Sequence, residues 1–146
     1  MEWNRDDYRI STSKGDLDIP LIHNFLSNKA YWCRGIPLET VEKSIEHSLC
    51  FGLFYQSRQV GFARLITDQA TFAYLADVFI LPDHRGRNLS KWLMNCILSH
   101  TSLKGLRRIT LATADAHGLY SQFGFKSLSA PDHFMEINSD NIYQNE

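Results

Sequence analysis

The spacing of apolar positions changes repeatedly along this chain, and each change predicts an element. Tyr8 to Ser11 reads as a first short strand. Lys14, Gly15 and Asp16 make a turn, after which Asp18 can cap a helix that tolerates Pro20 in its first turn and buries Ile22, Phe25 and Leu26. Ser27 to Ile36 reads as a loop that is aromatic and basic at once, through Tyr31, Trp32 and Arg34, before Pro37 opens a second helix with Val41 and Ile45 inward. From Leu49 the period shortens. LCFGLFY, VGFARLIT and TFAYLADVFIL are apolar strands joined by turns at QSRQ and near Asp68, an arrangement that pairs antiparallel. Leu89, Trp92, Leu93, Cys96 and Ile97 then recur at helical spacing and predict a helix from Asn88 to about Ser102. A strand at Arg108 to Ala112, a short helix around Ala116 to Phe123, and final strands near Phe125 to Leu128 and Phe134 to Ile137 complete the order β-α-α-β-β-β-α-β-α-β-β. The expected fold class is α/β: one domain over residues 1–146 with a mixed, twisted, mostly antiparallel sheet flanked by helices.

The richest segment is VFILPDHRGRNLSKWLM, Val78 to Met94. An unbroken apolar strand stops at Pro82, which cannot donate a backbone N–H, and a glycine- and arginine-bearing turn leads into a helix. Such a junction aims free amides and the positive end of the helix dipole at one spot, which suits a phosphate. Arg85 and Arg87 stand at the helix end where the dipole disfavours cations, so they make better sense if an anion is expected there.

Charge and cysteine usage narrow the classes. Fifteen Lys and Arg against sixteen Asp and Glu leave a net charge of −1 with no long run of either sign, so no nucleic-acid partner and no anionic membrane surface is expected. No apolar segment approaches the roughly 18 residues of a membrane span, and the N-terminus lacks a secretory core, which points to a cytoplasmic protein. Cys33, Cys50 and Cys96 are odd in number and widely spaced, as reduced thiols would be, and without HExxH or paired cysteines no metal is expected.

Element order, the RGRNLSKWLM turn and the segment LATADAHGLYSQFGF, Leu111 to Phe125, together resemble the GCN5-related N-acetyltransferase (GNAT) family over nearly the whole chain. The resemblance implies that Arg85, Gly86, Arg87, Asn88, Leu89 and Ser90 hold the pyrophosphate of acetyl-CoA. Asn88 and Ser90 stand where the family has glycines. Asn is the non-glycine residue most at ease at positive φ and Ser is small, so the nest survives with weaker affinity than a glycine pair gives. By the same resemblance the pantetheine arm lies along the strand, with backbone atoms of Phe79 and Leu81 as the expected contacts. Tyr120 corresponds to the family's tyrosine that protonates the departing thiolate, and Gly124 and Phe125 complete that motif. Asp77 is the expected base for the incoming ammonium, against the alternative of a structural aspartate bonded to a neighbouring loop or to Arg64. Asp115 is expected to cap the short helix, and a proton-carrying role for His117 is the lesser reading.

The implied reaction is transfer of an acetyl group from acetyl-CoA, the donor cosubstrate, to a small-molecule amine by direct attack on the thioester. The acceptor would enter over Tyr31, Trp32 and Arg34, where aromatics flank an apolar body and Arg34 can bind a carboxylate or phosphate. The rival readings are a non-catalytic acyl-CoA sensor and a protein or peptide N-acetyltransferase. The latter would want an acidic groove that the sequence does not show near the lip. A homodimer stays open, because the C-terminal strands could offer a sheet edge.

Overall fold

The computed structural model describes residues 1–144. Six strands form one open sheet in sequential order: β1 (Glu2–Arg5), β2 (Tyr8–Ser11), β3 (Leu49–Tyr55), β4 (Arg58–Thr67), β5 (Phe72–Ile80) and β6 (Arg108–Leu111). The first five strands pair antiparallel with their neighbours, and β6 lies parallel to β5. The long β3 and β4 are buried on both faces, which is why they read as continuous apolar runs rather than alternating ones.

Helices α1 (Ile19–Asn28) and α2 (Leu38–Glu46) cover one face, where Ile22, Phe25, Leu26, Val41 and Ile45 meet Cys50, Phe62 and Phe79. The Asp18 carboxylate caps α1 by accepting from Leu21 N–H at 3.1 Å. Helix α3 (Leu89–Ser99) covers the other face, burying Leu89, Leu93, Met94, Cys96 and Ile97 against Phe51, Leu53, Ala63 and Leu65. It stops before Ser102. His100 leaves the helical backbone, and its Nδ1 accepts from Ser102 N–H to start a 3-10 turn. The last helix, α4 (His117–Ser121), is a single short piece.

Two differences from the sequence reading stand at the ends. Glu2–Arg5 is a strand, joined to β2 through Asp6 in the left-handed region. Its only large apolar residue is Trp3, too weak a pattern to announce it. The expected strands at Phe125–Leu128 and Phe134–Ile137 are absent: a 3-10 turn at Pro131–His133 divides the segment, and the described residues beyond β6 pair with no strand. Alternating apolar residues make a strand only where an edge receives them.

Candidate active site

Strands β5 and β6 stay together only from Phe72 opposite Arg108 to Leu75 opposite Leu111. At the point of parting, β5 carries a bulge. Phe62 faces Phe79 but Arg64 faces Ala76, so the intervening β5 residues outnumber those of β4, and Asp77 takes a φ of 55°. Beyond the bulge β5 runs on to Ile80 with no strand on its β6 side.

The amides on that open side can be assigned from one hydrogen bond. Leu81 donates its N–H to Val60 on the β4 side at 2.8 Å, and its carbonyl accepts from His84 at 3.0 Å. Because peptide groups alternate sides along a strand, Phe79 also faces β4, while Val78 and Ile80 face the gap. The backbone groups of Phe79 and Leu81, the contacts expected from the sequence, thus turn to β4, and those open to the gap belong to Val78 and Ile80. Register, set by the bulge and the β4 pairing, decided this parity. The Ile80 carbonyl is already taken on the gap side by Arg85 Nε at 2.8 Å.

The turn that follows is built for amides to point outward. Pro82–His84 forms one 3-10 turn, Gly86 adopts φ 79°, and Asn88 adopts φ 59° and ψ 22° before α3 begins. Asn88 thus fills a left-handed position that a β-branched or bulky residue would strain. The first helical bond runs from Trp92 N–H to Asn88, and among the described residues no acceptor takes the amides from Gly86 through Lys91. Arg87 Nη1 donates to the Tyr8 hydroxyl at 3.0 Å, and that hydroxyl also bonds His84 Nδ1 at 2.8 Å. Arg5 donates to the Arg87 carbonyl at 3.4 Å and lies over Trp92 at 4.7 Å. The hairpin absent from the sequence reading is therefore one wall of the turn. Tyr8, His84 and Arg5 went unmarked because their partners lie far away in sequence.

Asp77 sits at the base of the gap. Its Oδ2 accepts from Arg64 Nε at 2.9 Å, its Oδ1 from Trp32 Nε1 at 2.9 Å, and Arg64 reaches on to Ser48 Oγ at 3.0 Å. The two ion-pair side chains are 14% and 9% exposed, so the pair is largely shielded from water. Of the partners considered from sequence, Arg64 and the neighbouring loop are both present.

The lip is tied across the cleft. Tyr31 packs edge-on against Trp32 at 5.1 Å, and its hydroxyl accepts from Ala114 N–H at 3.1 Å, joining the α1–α2 loop to the β6–α4 loop. Tyr31, Trp32 and Arg34 are all exposed. Tyr120 is 9% exposed, its ring meets Phe125 edge-on at 6.0 Å, and no described residue bonds its hydroxyl. Burial, helped by the Asp115 charge and by Tyr31, pushes its phenol pKa up, so the group holds its proton. Asp115 does not cap α4. The Thr113 hydroxyl instead accepts from the Asp115 and Ala116 amides at 3.4 and 3.1 Å.

No described cluster of His, Cys, Asp and Glu could hold a metal, and no described helix is long and apolar enough to cross a membrane. Burial keeps the thiols protonated, pushing Cys33 up to about 12 and Cys50 and Cys96 to about 11.

Comparison with known proteins bears on this geometry. The model of the Acetyltransferase (GNAT) family matches residues 16–125. FG08082 of Gibberella zeae, an acetyltransferase by name only, is 32% identical over 144 residues, covering 84% of this chain and 80% of that one. The crystal structure of xcc2953 from Xanthomonas campestris pv. campestris, described as belonging to the GNAT family, is 50% identical. It superposes with a TM-score of 0.94 over 97% of this chain and 100% of that one. A Clostridium acetobutylicum protein solved with acetyl-CoA shares the fold at 14% identity and a TM-score of 0.64, covering 94% of this chain and 96% of that one. With a family match across most of its length, on a sheet that parts beside an amide-lined turn, this chain belongs to the GNAT acetyltransferase family.

Proposed function

We propose that the protein moves an acetyl group from acetyl-CoA to the amine of a small molecule. The observation that carries this reading is the row of amides from Gly86 through Lys91, without acceptors among the described residues, at the mouth of α3 and at the end of the stretch of β5 that β6 has left. Those amides and the Arg85 and Arg87 guanidinium groups suit a pyrophosphate, and the Val78 and Ile80 amides suit a pantetheine arm. The solved neighbour with acetyl-CoA has the same fold, which supports the donor.

When bound, acetyl-CoA supplies an acyl carbon already activated by its thioester, so the chain's own residues need only orient, polarise and move protons. Tyr120, protonated and with a free hydroxyl, donates to the departing sulfur. Asp77 already accepts hydrogen bonds on both oxygens, from Arg64 and from Trp32. Its role in this reading is to fix Trp32 and the bulge and to offer negative charge to the ammonium, which loses its proton to water before attack. Tyr31, Trp32 and Arg34 receive the acceptor.

The test is a coenzyme A release assay over amino acids, polyamines, aminoglycosides and peptides. Turnover with at least one small amine, above turnover with any peptide, is the expected result. Tight acetyl-CoA binding without release for any amine would favour a sensor instead.

A further inference from the structure

A cavity of about 340 Å³ lies between α1, the β3–β4 hairpin and the Pro82–His84 turn. Val60 lines it and accepts the Leu81 N–H, so it sits on the β4 side of β5, away from the gap that β6 leaves. None of its lining residues is among the amides from Gly86 through Lys91 or the lip residues Tyr31, Trp32 and Arg34. Its walls are held by groups that already have partners. Buried Gln59 accepts from Asp18 N–H at 2.7 Å and donates to the Gly61 carbonyl at 3.0 Å, and the Phe25 ring stacks on Phe79 at 4.0 Å. The Tyr55 ring lies 5.2 Å from the ring of His84, whose Nδ1 is bonded to Tyr8. A space bounded in this way exists before any ligand arrives.

The lining sorts by depth. Phe25 and Val60 are buried and Leu21 and Leu81 half-buried, which makes an apolar floor, while Lys29, Arg58 and Asp83 are exposed at the mouth. The ion pairs among the described residues lie elsewhere, so Lys29 and Arg58 have no carboxylate partner there. Asp83 is the one acid in the lining, and positive charge is in excess. Apolar surface below and unpaired cations above select an occupant with an apolar body and a negatively charged head.

We propose that this cavity binds a small carboxylate with a branched or aromatic apolar body, its head held by Lys29 and Arg58 and its body laid over Leu21 and Phe25. The volume stands at the low end of small-molecule sites, roughly 300–1,000 Å³, so a short organic acid fits and a coenzyme does not. The site is separate from the acetyl-transfer reading and does not depend on it.

Isocaproate is the probe, because it carries no amine and so cannot serve as an acetyl acceptor. Calorimetry on the full chain should show saturable binding, about tenfold or more tighter than for neutral isocaproamide or cationic isoamylamine, and unchanged in saturating coenzyme A. The double substitution Lys29→Gln, Arg58→Gln should weaken that binding about tenfold or more with an unchanged melting temperature, since both side chains are exposed. Carbon–proton NMR supplies the second readout: the ring signals of His84, in the cavity wall, should move with the probe, and those of His117, on the helix that carries Tyr120, should stay. Absence of saturable binding, equal binding of the amide, binding that survives the double substitution, displacement by coenzyme A, or shifts at His117 in place of His84 would each overturn the inference. No turnover is measured, so failure here is distinguishable from failure of the acetyl-transfer reading.

Discussion

Tyr120 and Asp77 differ in what surrounds them, the one buried and the other ion-paired. Among the described residues nothing bonds the Tyr120 hydroxyl, and burial, with the Asp115 charge and Tyr31 adding to it, raises its pKa above the ordinary 10 and keeps a proton available. Replacing it with Phe should lower kcat by about 10²–10⁴-fold, the usual worth of a positioned acid, with acetyl-CoA affinity unchanged by calorimetry. Any alkaline fall in turnover due to Tyr120 should lie above pH 10. Asp77 has partners on both oxygens. Asp77→Asn should cost about 1–3 kcal/mol of stability through the weakened Arg64 bond, read by thermal unfolding. It should leave the shape of the pH profile in place, whereas a base would take the acidic limb with it.

At the scale of the element, the junction from β5 to α3 matters more than any one of its side chains. Gly86 and Asn88 hold positive φ, the helix starts only afterwards, and no described acceptor takes the amides of this turn. Asn88→Ala should destabilise the fold by about 1 kcal/mol, because alanine lacks the short polar side chain that lets Asn hold the left-handed region at little cost, and should weaken acetyl-CoA binding along with it. Asn88→Gly should keep stability close to the parent and bind the coenzyme at least as well, since glycine adopts this conformation freely. Paired unfolding and calorimetric measurements on the two variants separate the backbone's role from that of the Asn side chain. The wall behind the junction comes from β2, where Tyr8 bonds both Arg87 and His84.

Across the whole molecule, His100 joins elements that are distant in sequence. It lies 6.5 Å from the Trp3 ring of β1 and 5.7 Å from the Phe51 ring of β3, at the end of α3. Burial, with the positive amino terminus adding to it, lowers its pKa from 6.5. The folded state therefore holds neutral imidazole more firmly than the unfolded one does. That contribution to stability is complete above pH 6.5 and is lost as pH falls through the lower folded value. Thermal unfolding followed from neutral to mildly acid pH should show a steeper loss in the parent than in His100→Gln.

What the sequence determined by itself was whatever short-range patterning encodes. Helices α1, α2 and α3 announced themselves by apolar spacing and by Asp18 and Pro37 at their starts. The central strands were readable as apolar runs, and the junction at Arg85–Ser90 by its charge and position, including an Asn suited to positive φ. Tertiary structure decided everything that depends on which groups face each other. The gap-side amides belong to Val78 and Ile80 because a bulge and the β4 register set the parity. Asp77 meets Arg64 and Trp32 because β4 and the lip converge on the bulge. The segment Phe134–Ile137 has a strand's alternation and no strand's hydrogen bonds, because pattern states a preference for an edge while only the folded arrangement supplies one.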